Sequence, residues 1–423
     1  MHVFFSGIGG TGIGPLALIA KQAGYTVSGS DKQESDYTTY LRRQGVADIC
    51  IGQTLADIAS AHRKNPIDWI VYSSAIEKEN PDGHPEIIFA EQNGIKHSKR
   101  DEFINGLLKR TNKKMIAIAG THGKTTTTAM TIWAFKQLGI PVSYSVGAKL
   151  NFGEMGEFDE SSEFFVYEAD EYDRNFLSFS PEITMISGLD YDHPDIYPTR
   201  VSYYQAFVEF ICQSNEVLAH REDLERIGMA AEDESIVKLS DFNLVGLVNR
   251  KNAQLVAEAL VLITKRPPGE IVQILNEFPG VSRRFENISD NIYSDYAHTP
   301  EKIRGALQIA QEIAGKNTVV VYEGLHNTRQ HFISDELDNL FEGAKKLYIV
   351  PSYLAREDQS LELLTPEKLC EIAREPADRE PAELDEDLKS RIMNHVSCGD
   401  LVLCFSAGGG GSLDEWLRKE FKS

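Results

Sequence analysis

Ile116-Ala-Ile-Ala-Gly-Thr-His-Gly-Lys-Thr-Thr-Thr-Thr128 is the stretch that decides the reading of this chain. A run of small and aliphatic residues spells a strand, Gly120 and Gly123 make a tight turn, and Lys124 and Thr125 open a helix. That order aims backbone N–H groups and the positive end of a helix dipole at one point, a geometry suited to phosphate. Lys124 adds a point charge for the outer phosphates, and the Thr125 hydroxyl is of the kind that ligates Mg²⁺. The loop is shorter than the usual G-x-x-x-x-G-K-[ST], because Ile118 stands where the first glycine is expected. Strand, glycines and Lys-Thr together still predict a nucleoside triphosphate site. Its nucleotide-binding residues are Gly120, Thr121, His122, Gly123, Lys124, Thr125 and Thr126.

Outward from this loop, the chain reads as repeated strand–turn–helix units. It has 423 residues, enough for roughly two to three domains. Strands are expected at Thr26–Asp31, Asp68–Ser74, Phe164–Glu168, Ile183–Ser187, Thr318–Tyr322, Lys346–Val350 and Leu401–Phe405. Strands alternating with helical patterns predict parallel α/β sheets. Five scattered cysteines without a C-x-x-C pair argue against structural zinc and a disulfide framework, and fit a reducing compartment. Met1-His-Val-Phe-Phe-Ser-Gly7 enters a strand and a turn without a basic leader, so a cytoplasmic protein is expected. No run approaches the roughly 18 apolar residues of a membrane span. A net charge of −21 disfavours nucleic acid and anionic membrane as partners. Anionic ligands must then be held by local cations, helix N-termini and Mg²⁺.

A second glycine turn lies at the start. Gly7-Ile-Gly9-Gly10-Thr11-Gly12 follows a strand and precedes a helix, with Asp31 ending the next strand. This fits the dinucleotide fingerprint and its ribose-binding acid. Taken alone it suggests an NAD-dependent dehydrogenase, but that reading leaves Lys124 unexplained. The same turn suits the diphosphate of any nucleotide-linked ligand. In the central block, Glu168-Ala-Asp-Glu-Tyr-Asp173 follows a hydrophobic strand, and a carboxylate there is a natural second support for Mg²⁺, a hard ion that prefers oxygen. Asp190-Tyr-Asp-His193 follows a further strand, and His193 is a candidate ligand for a second metal ion.

In this order the pieces resemble the Mur ligase family of peptidoglycan synthesis. The likeness is carried by Ala119–Thr127, Glu168-Ala-Asp-Glu171, Asp192-His193, Asn249-x-x-Asn252-Ala253, Arg283-Arg-Phe285 and Asp295-Tyr-Ala-His298, and spans nearly the whole chain. The resemblance implies a Rossmann-like UDP-N-acetylmuramate-binding domain at residues 1–110. A central P-loop ATPase domain with a parallel sheet follows at 111–279, and a Rossmann-like C-terminal domain at 280–423. It implies ATP and two Mg²⁺ ions, UDP-N-acetylmuramate as one partner and an amino acid or short peptide as the other. A carboxylate is activated as an acyl phosphate and then captured by an amine.

The resemblance also assigns residues. Lys124, Glu168, His193, Arg284 and His298 would be catalytic, and Thr125, Glu168 and His193 would hold metal. Asn249 and Asn252 would lie near adenine, with Asp295 closing over ATP. Gly9, Gly10, Thr11, Gly12, Asp31, Ser73 and Ser74 would bind the nucleotide sugar, and Thr328 and Arg329 would line the acceptor site.

Within the family, Gly7–Gly12, Val27–Asp31, Tyr72–Ile76 and Phe176–Pro181 are similar to members that add L-alanine. Asp170-Glu-Tyr-Asp173 is similar to members that recycle a tripeptide. The chain departs from the family's pattern at Gly188, where Asn is usual, at Asp190 for Glu, and at Val248 for His. In Gly324-Leu-His-Asn-Thr-Arg329 only Thr328 and Arg329 match the alanine-adding pattern. L-alanine addition is the main expectation, tripeptide recycling the alternative, and a non-catalytic UDP-sugar sensor a third reading. A folylpolyglutamate synthetase-like enzyme should lack the Gly7 turn.

Overall fold

The computed structural model describes residues 1–80, 82–230, 235–354, 357–358, 360–406 and 410–422. Three α/β domains are each built on a sheet in which parallel pairing dominates. The first sheet runs Ile49–Ile51, Thr26–Asp31, His2–Ser6, Trp69–Tyr72, Lys96–Lys99 in space, all parallel. The second runs Glu216–Ala219, Ile183–Ile186, Lys114–Ala119, Phe164–Glu168, Ser143–Ser145, Gly156–Glu157, with only the last pair antiparallel. The third runs Glu286–Ser289, Ile292–Asp295, Leu401–Phe405, Thr318–Leu325, Lys346–Tyr353, Arg379–Pro381, with an antiparallel first pair.

Side chains that alternate along these strands pack on opposite faces. Val3 and Phe5 join one hydrophobic cluster, and Phe4 between them joins another. Val320 and Tyr322 lie on one face of the third sheet, Val319 and Val321 on the other. Burial on both faces explains why these strands read as continuous apolar runs. In the first sheet the Phe5, Tyr25 and Trp69 rings surround Phe103 at 5.2, 5.7 and 5.5 Å. The cluster around Phe103 continues into Phe165, Tyr167 and Phe176 beside the second sheet.

By contacts the chain divides into two compact units, Met1–Lys238 with Asn252–Phe278, and Leu239–Lys251 with Pro279–Ser423. The helix Leu247–Thr264 therefore belongs to the second unit by its start and to the first by the remainder. The strand expected at Asp68–Ser74 is shorter, Trp69–Tyr72, because Ser74 already opens a helix. The segment Asp295–Pro300 joins the strand Ile292–Asp295 to a helix, as its sequence suggests, whereas the antiparallel partner Glu286–Ser289 carries no long apolar run to announce it. No helix among the described residues is long and apolar enough to cross a membrane.

Candidate active site

The central strand Lys114–Ala119 ends at Gly120, and the helix Lys124–Gln137 begins directly after Gly123. Both glycines have positive φ, +139° and +79°. A Cβ on Gly120 would lie 2.8 Å from the Gly188 carbonyl oxygen, and one on Gly123 would lie 2.8 Å from Asn252 Oδ1. The glycines are thus required by backbone shape and by close neighbours. Thr121 locks the turn: its hydroxyl donates to Asp190 O at 2.6 Å and accepts from Asp190 N at 2.8 Å. The N–H groups of Gly123, Lys124 and Thr126 donate no hydrogen bond within the described residues, as expected for a first helical turn without a side-chain cap. Asn252, 1% exposed, has a buried Oδ1 beside this loop with no hydrogen-bond partner among the described residues. The N–H groups of Gly123, Lys124 and Thr126 together with the lysine ammonium fit a nucleotide's phosphates, and the Asn252 acceptor fits an N–H or O–H donor of the nucleotide.

Two carboxylates meet the loop. The Thr125 hydroxyl donates to Glu168 Oε1 at 2.8 Å, and Glu168 Oε2 accepts from Gly147 N at 2.8 Å. Glu168 ends the strand Phe164–Glu168, which pairs with the loop's own strand, so register brings the two together. The Lys124 ammonium donates to Glu171 Oε2 at 2.6 Å and to the Gly120 carbonyl. Glu171 is 1% exposed. Burial pushes its carboxyl up, but Lys124 and then His193 outweigh that and hold it at about 2. Burial likewise works against charge on Lys124, and Glu171 and Asp170 overcome it and raise its pKa.

His193 has a left-handed backbone, φ +58°. Its N–H bonds the Asp192 carboxylate at 2.8 Å and its ring meets Tyr172 edge-on at 5.0 Å. His193 Nε2 lies 3.6 Å from Glu171 Oε1, so the histidine stands with Glu171. Glu171 was not singled out from the sequence, although its motif was; only the fold shows which carboxylate of Glu168-Ala-Asp-Glu171 reaches the lysine. Among the described residues no three His, Cys, Asp or Glu side chains converge as a metal cage. The Thr125 hydroxyl and Glu168 carboxylate do form a pair of hard oxygens, which suits Mg²⁺, an ion that keeps few protein ligands beside phosphate oxygens and water.

In the first sheet, the Gly7 turn follows the strand His2–Ser6, between its neighbours Thr26–Asp31 and Trp69–Tyr72, where strand order reverses and ligands bind. Asp31 accepts the Gly9 N–H at 2.8 Å and so shapes the turn. Gly10 and Thr11 are exposed at its tip. Ser73 follows the strand Trp69–Tyr72, and the Ser74 hydroxyl accepts from Asn175 Nδ2 at 3.4 Å.

In the second unit, Asp295 is a clamp. Its oxygens accept from Phe285 N and Ala297 N, each at 2.7 Å, which fixes the backbone directly after Arg284 and directly before His298. Burial raises the Asp295 pKa and Arg284 opposes this. Arg284 sits 5.5 Å from the Tyr296 ring, and His298 Nδ1 pairs with Tyr296 O at 2.8 Å. Asn249 lies in this unit too, its Nδ2 donating to Val245 O at 2.8 Å. Thr328 N donates to Glu357 Oε2 at 3.1 Å, and the Thr328 hydroxyl accepts from Asp358 N at 3.0 Å. Arg329 is half-buried in the same short helix, Asn327–Phe332. Glu357, in an acidic segment that carried no motif, is a neighbour the sequence did not reveal.

Three family models match in succession: the Mur ligase catalytic domain over residues 2–112, the Mur ligase middle domain over 118–281, and the Mur ligase glutamate ligase domain over 283–408. The UDP-N-acetylmuramate–L-alanine ligase of Trichlorobacter lovleyi is 30% identical, with 99% of this chain and 98% of that protein aligned. The enzyme of the same name from Myxococcus xanthus is 29% identical over 99% of this chain and 95% of its own length. Among solved structures, the UDP-N-acetylmuramate–alanine ligase of Thermotoga maritima superposes with a TM-score of 0.73 at 24% identity, covering 99% of this chain and 98% of that one. A murein peptide ligase of Psychrobacter arcticus gives 0.63 at 23%, covering 97% and 96%. From its N-terminal glycine turn to its C-terminal sheet, the chain belongs to the Mur ligase family.

Proposed function

We propose that the chain is an ATP-dependent ligase that joins L-alanine to the carboxylate of UDP-N-acetylmuramate in peptidoglycan precursor synthesis in the cytoplasm. The observation that carries this reading is a phosphate loop whose lysine and threonine each meet a carboxylate of Glu168–Glu171, in the same compact unit as the Gly7 turn. The full-length relatives carry the choice of L-alanine in their names.

A carboxylate is a poor acyl donor, so one oxygen of the muramyl carboxylate attacks the γ-phosphorus of ATP and ADP departs. The amine then attacks the acyl phosphate carbonyl: the C–N bond forms, the bond from the carbonyl carbon to the phosphate oxygen breaks, the nitrogen loses a proton, and inorganic phosphate leaves. Positioning and charge neutralisation supply most of the rate enhancement. The roles follow the three-part division at 1–110, 111–279 and 280–423. Lys124 holds the β- and γ-phosphates. Thr125 and Glu168 would hold one Mg²⁺, and Glu168 with His193 a second, and Mg²⁺ bound there would supply neutralisation of phosphate charge. Asn249 and Asn252 flank the adenosine, and Arg284, Asp295 and His298 contribute from the C-terminal part. Gly9–Gly12, Asp31, Ser73 and Ser74 receive the nucleotide sugar, and Thr328 and Arg329 the acceptor.

The test is phosphate release from Mg·ATP with UDP-N-acetylmuramate, comparing L-alanine, L-serine, glycine and the L-Ala-γ-D-Glu-diaminopimelate tripeptide. Stimulation by L-alanine with amide formation is the expected result. Stimulation by the tripeptide alone would move the enzyme to recycling, a reading favoured by Leu325, which takes the place of a hydrogen-bonding residue in the alanine-adding pattern and is 8% exposed.

A further inference from the structure

Arg100 has no place in any motif, yet it stands over the first glycine turn. It opens the helix Arg100–Thr111 directly after the strand Lys96–Lys99. A Cβ built on Gly12 would lie 2.6 Å from Arg100 Nη1, so Gly12 lacks a side chain where the guanidinium sits. Arg100 Nη2 donates to Asp170 Oδ2 at 3.1 Å, which fixes the head group; its side chain is 17% exposed. The N–H groups of Thr11 and Gly12 donate no hydrogen bond within the described residues, whereas the Gly9 N–H is already taken by Asp31.

Resting on the reading of the Gly7 turn as a nucleotide-sugar site, we propose that Arg100 binds the diphosphate of that substrate and that Asp170 is its positioning residue. Two N–H dipoles beside the Asp31 carboxylate cannot balance a diphosphate in a chain of net charge −21. Arg100 brings a permanent charge, and its planar fork of donors can engage Asp170 on one side and phosphate oxygens on another. Asp170 belongs to the segment that carries Glu168 and Glu171, so the diphosphate contact and the phosphate loop share one support.

The experiment is calorimetric titration of the full chain with UDP and, separately, with Mg·ADP, without turnover. Arg100→Ala is expected to weaken UDP at least tenfold, to flatten the salt dependence of UDP binding, and to leave Mg·ADP within twofold. Asp170→Asn weakens UDP less, because the guanidinium stays but is no longer held. Should Arg100→Ala fail to fold, Arg100→Gln keeps most of the packing, removes the charge, and is expected to show the same selective loss. Unchanged UDP binding in these arginine variants, or equal losses for UDP and ADP, overturns the assignment. A wild-type chain that binds Mg·ADP but not UDP overturns the nucleotide-sugar reading itself, and the role of Arg100 with it.

Discussion

The Lys124 ammonium lies 2.6 Å from the Glu171 carboxylate, and Glu171 is buried to 1% exposure. The lysine that is to meet phosphate is held by an internal anion, with His193 Nε2 3.6 Å away on the other oxygen. Removing the cation alone strands a buried charge. Lys124→Met is therefore expected to abolish phosphate release and also to destabilise the first unit by about 3–5 kcal/mol. Lys124→Met with Glu171→Gln should recover most of that stability and none of the activity. Urea unfolding of the two single variants and the double variant gives the coupling; additive losses would show that the pair is not coupled.

Thr125 and Glu168 make a separate claim on Mg²⁺. Thr125→Val keeps the shape of the side chain and removes the hydroxyl that donates to Glu168 at 2.8 Å. The Mg²⁺ concentration for half-maximal phosphate release is expected to rise at least fivefold, with unfolding midpoints changed little. A Mg²⁺ profile identical to wild type would remove Thr125 from the metal site.

Gly188, where the family usually has Asn, has a local explanation. A Cβ there would fall 2.0 Å from His122 Cε1 of the phosphate loop, so the histidine ring fills the space a side chain would take. Gly188→Asn is expected to cost about 1–3 kcal/mol by overpacking. In a His122→Ala background the same change should cost less by about 1 kcal/mol or more, read from urea midpoints, since neighbours that compete for one volume are not additive.

Which parts of this were legible in the sequence follows from how local each signal is. Strands such as Phe164–Glu168 and Leu401–Phe405 are legible with their bounds because both faces are buried and they read as continuous apolar runs. The loop Gly120–Thr125 was legible because its chemistry is contiguous. Glu171, Arg100 and Glu357 were not, because each acts on a residue far away in sequence: Lys124, Gly12 and Thr328. Asp295 was picked out by its motif, but that both its oxygens are spent on backbone N–H groups is visible only in the fold.

Glu86 carries the last prediction. It lies in the first turn of the helix Pro85–Asn93, is 0% exposed, and accepts from the Ser6 hydroxyl at the end of the first strand. Its Oε1 has no hydrogen-bond partner among the described residues. Burial raises its pKa to about 7, with Ser30 and Ser6 opposing through hydrogen bonds. The folded chain then holds a proton that the unfolded chain, with an ordinary glutamate, has released. Stability is fully present below about 4.5, falls as pH rises through the window up to about 7, and levels off above it. A shift of that size corresponds to about 3 kcal/mol. Glu86→Gln keeps the neutral shape without the titration, so its urea midpoint is expected to exceed that of wild type at pH 8 and to match it near pH 5. Parallel stability profiles for the two proteins across this window would mean that Glu86 stays ionised in the fold, and that the Ser6 and Ser30 hydroxyls suffice to hold a buried charge.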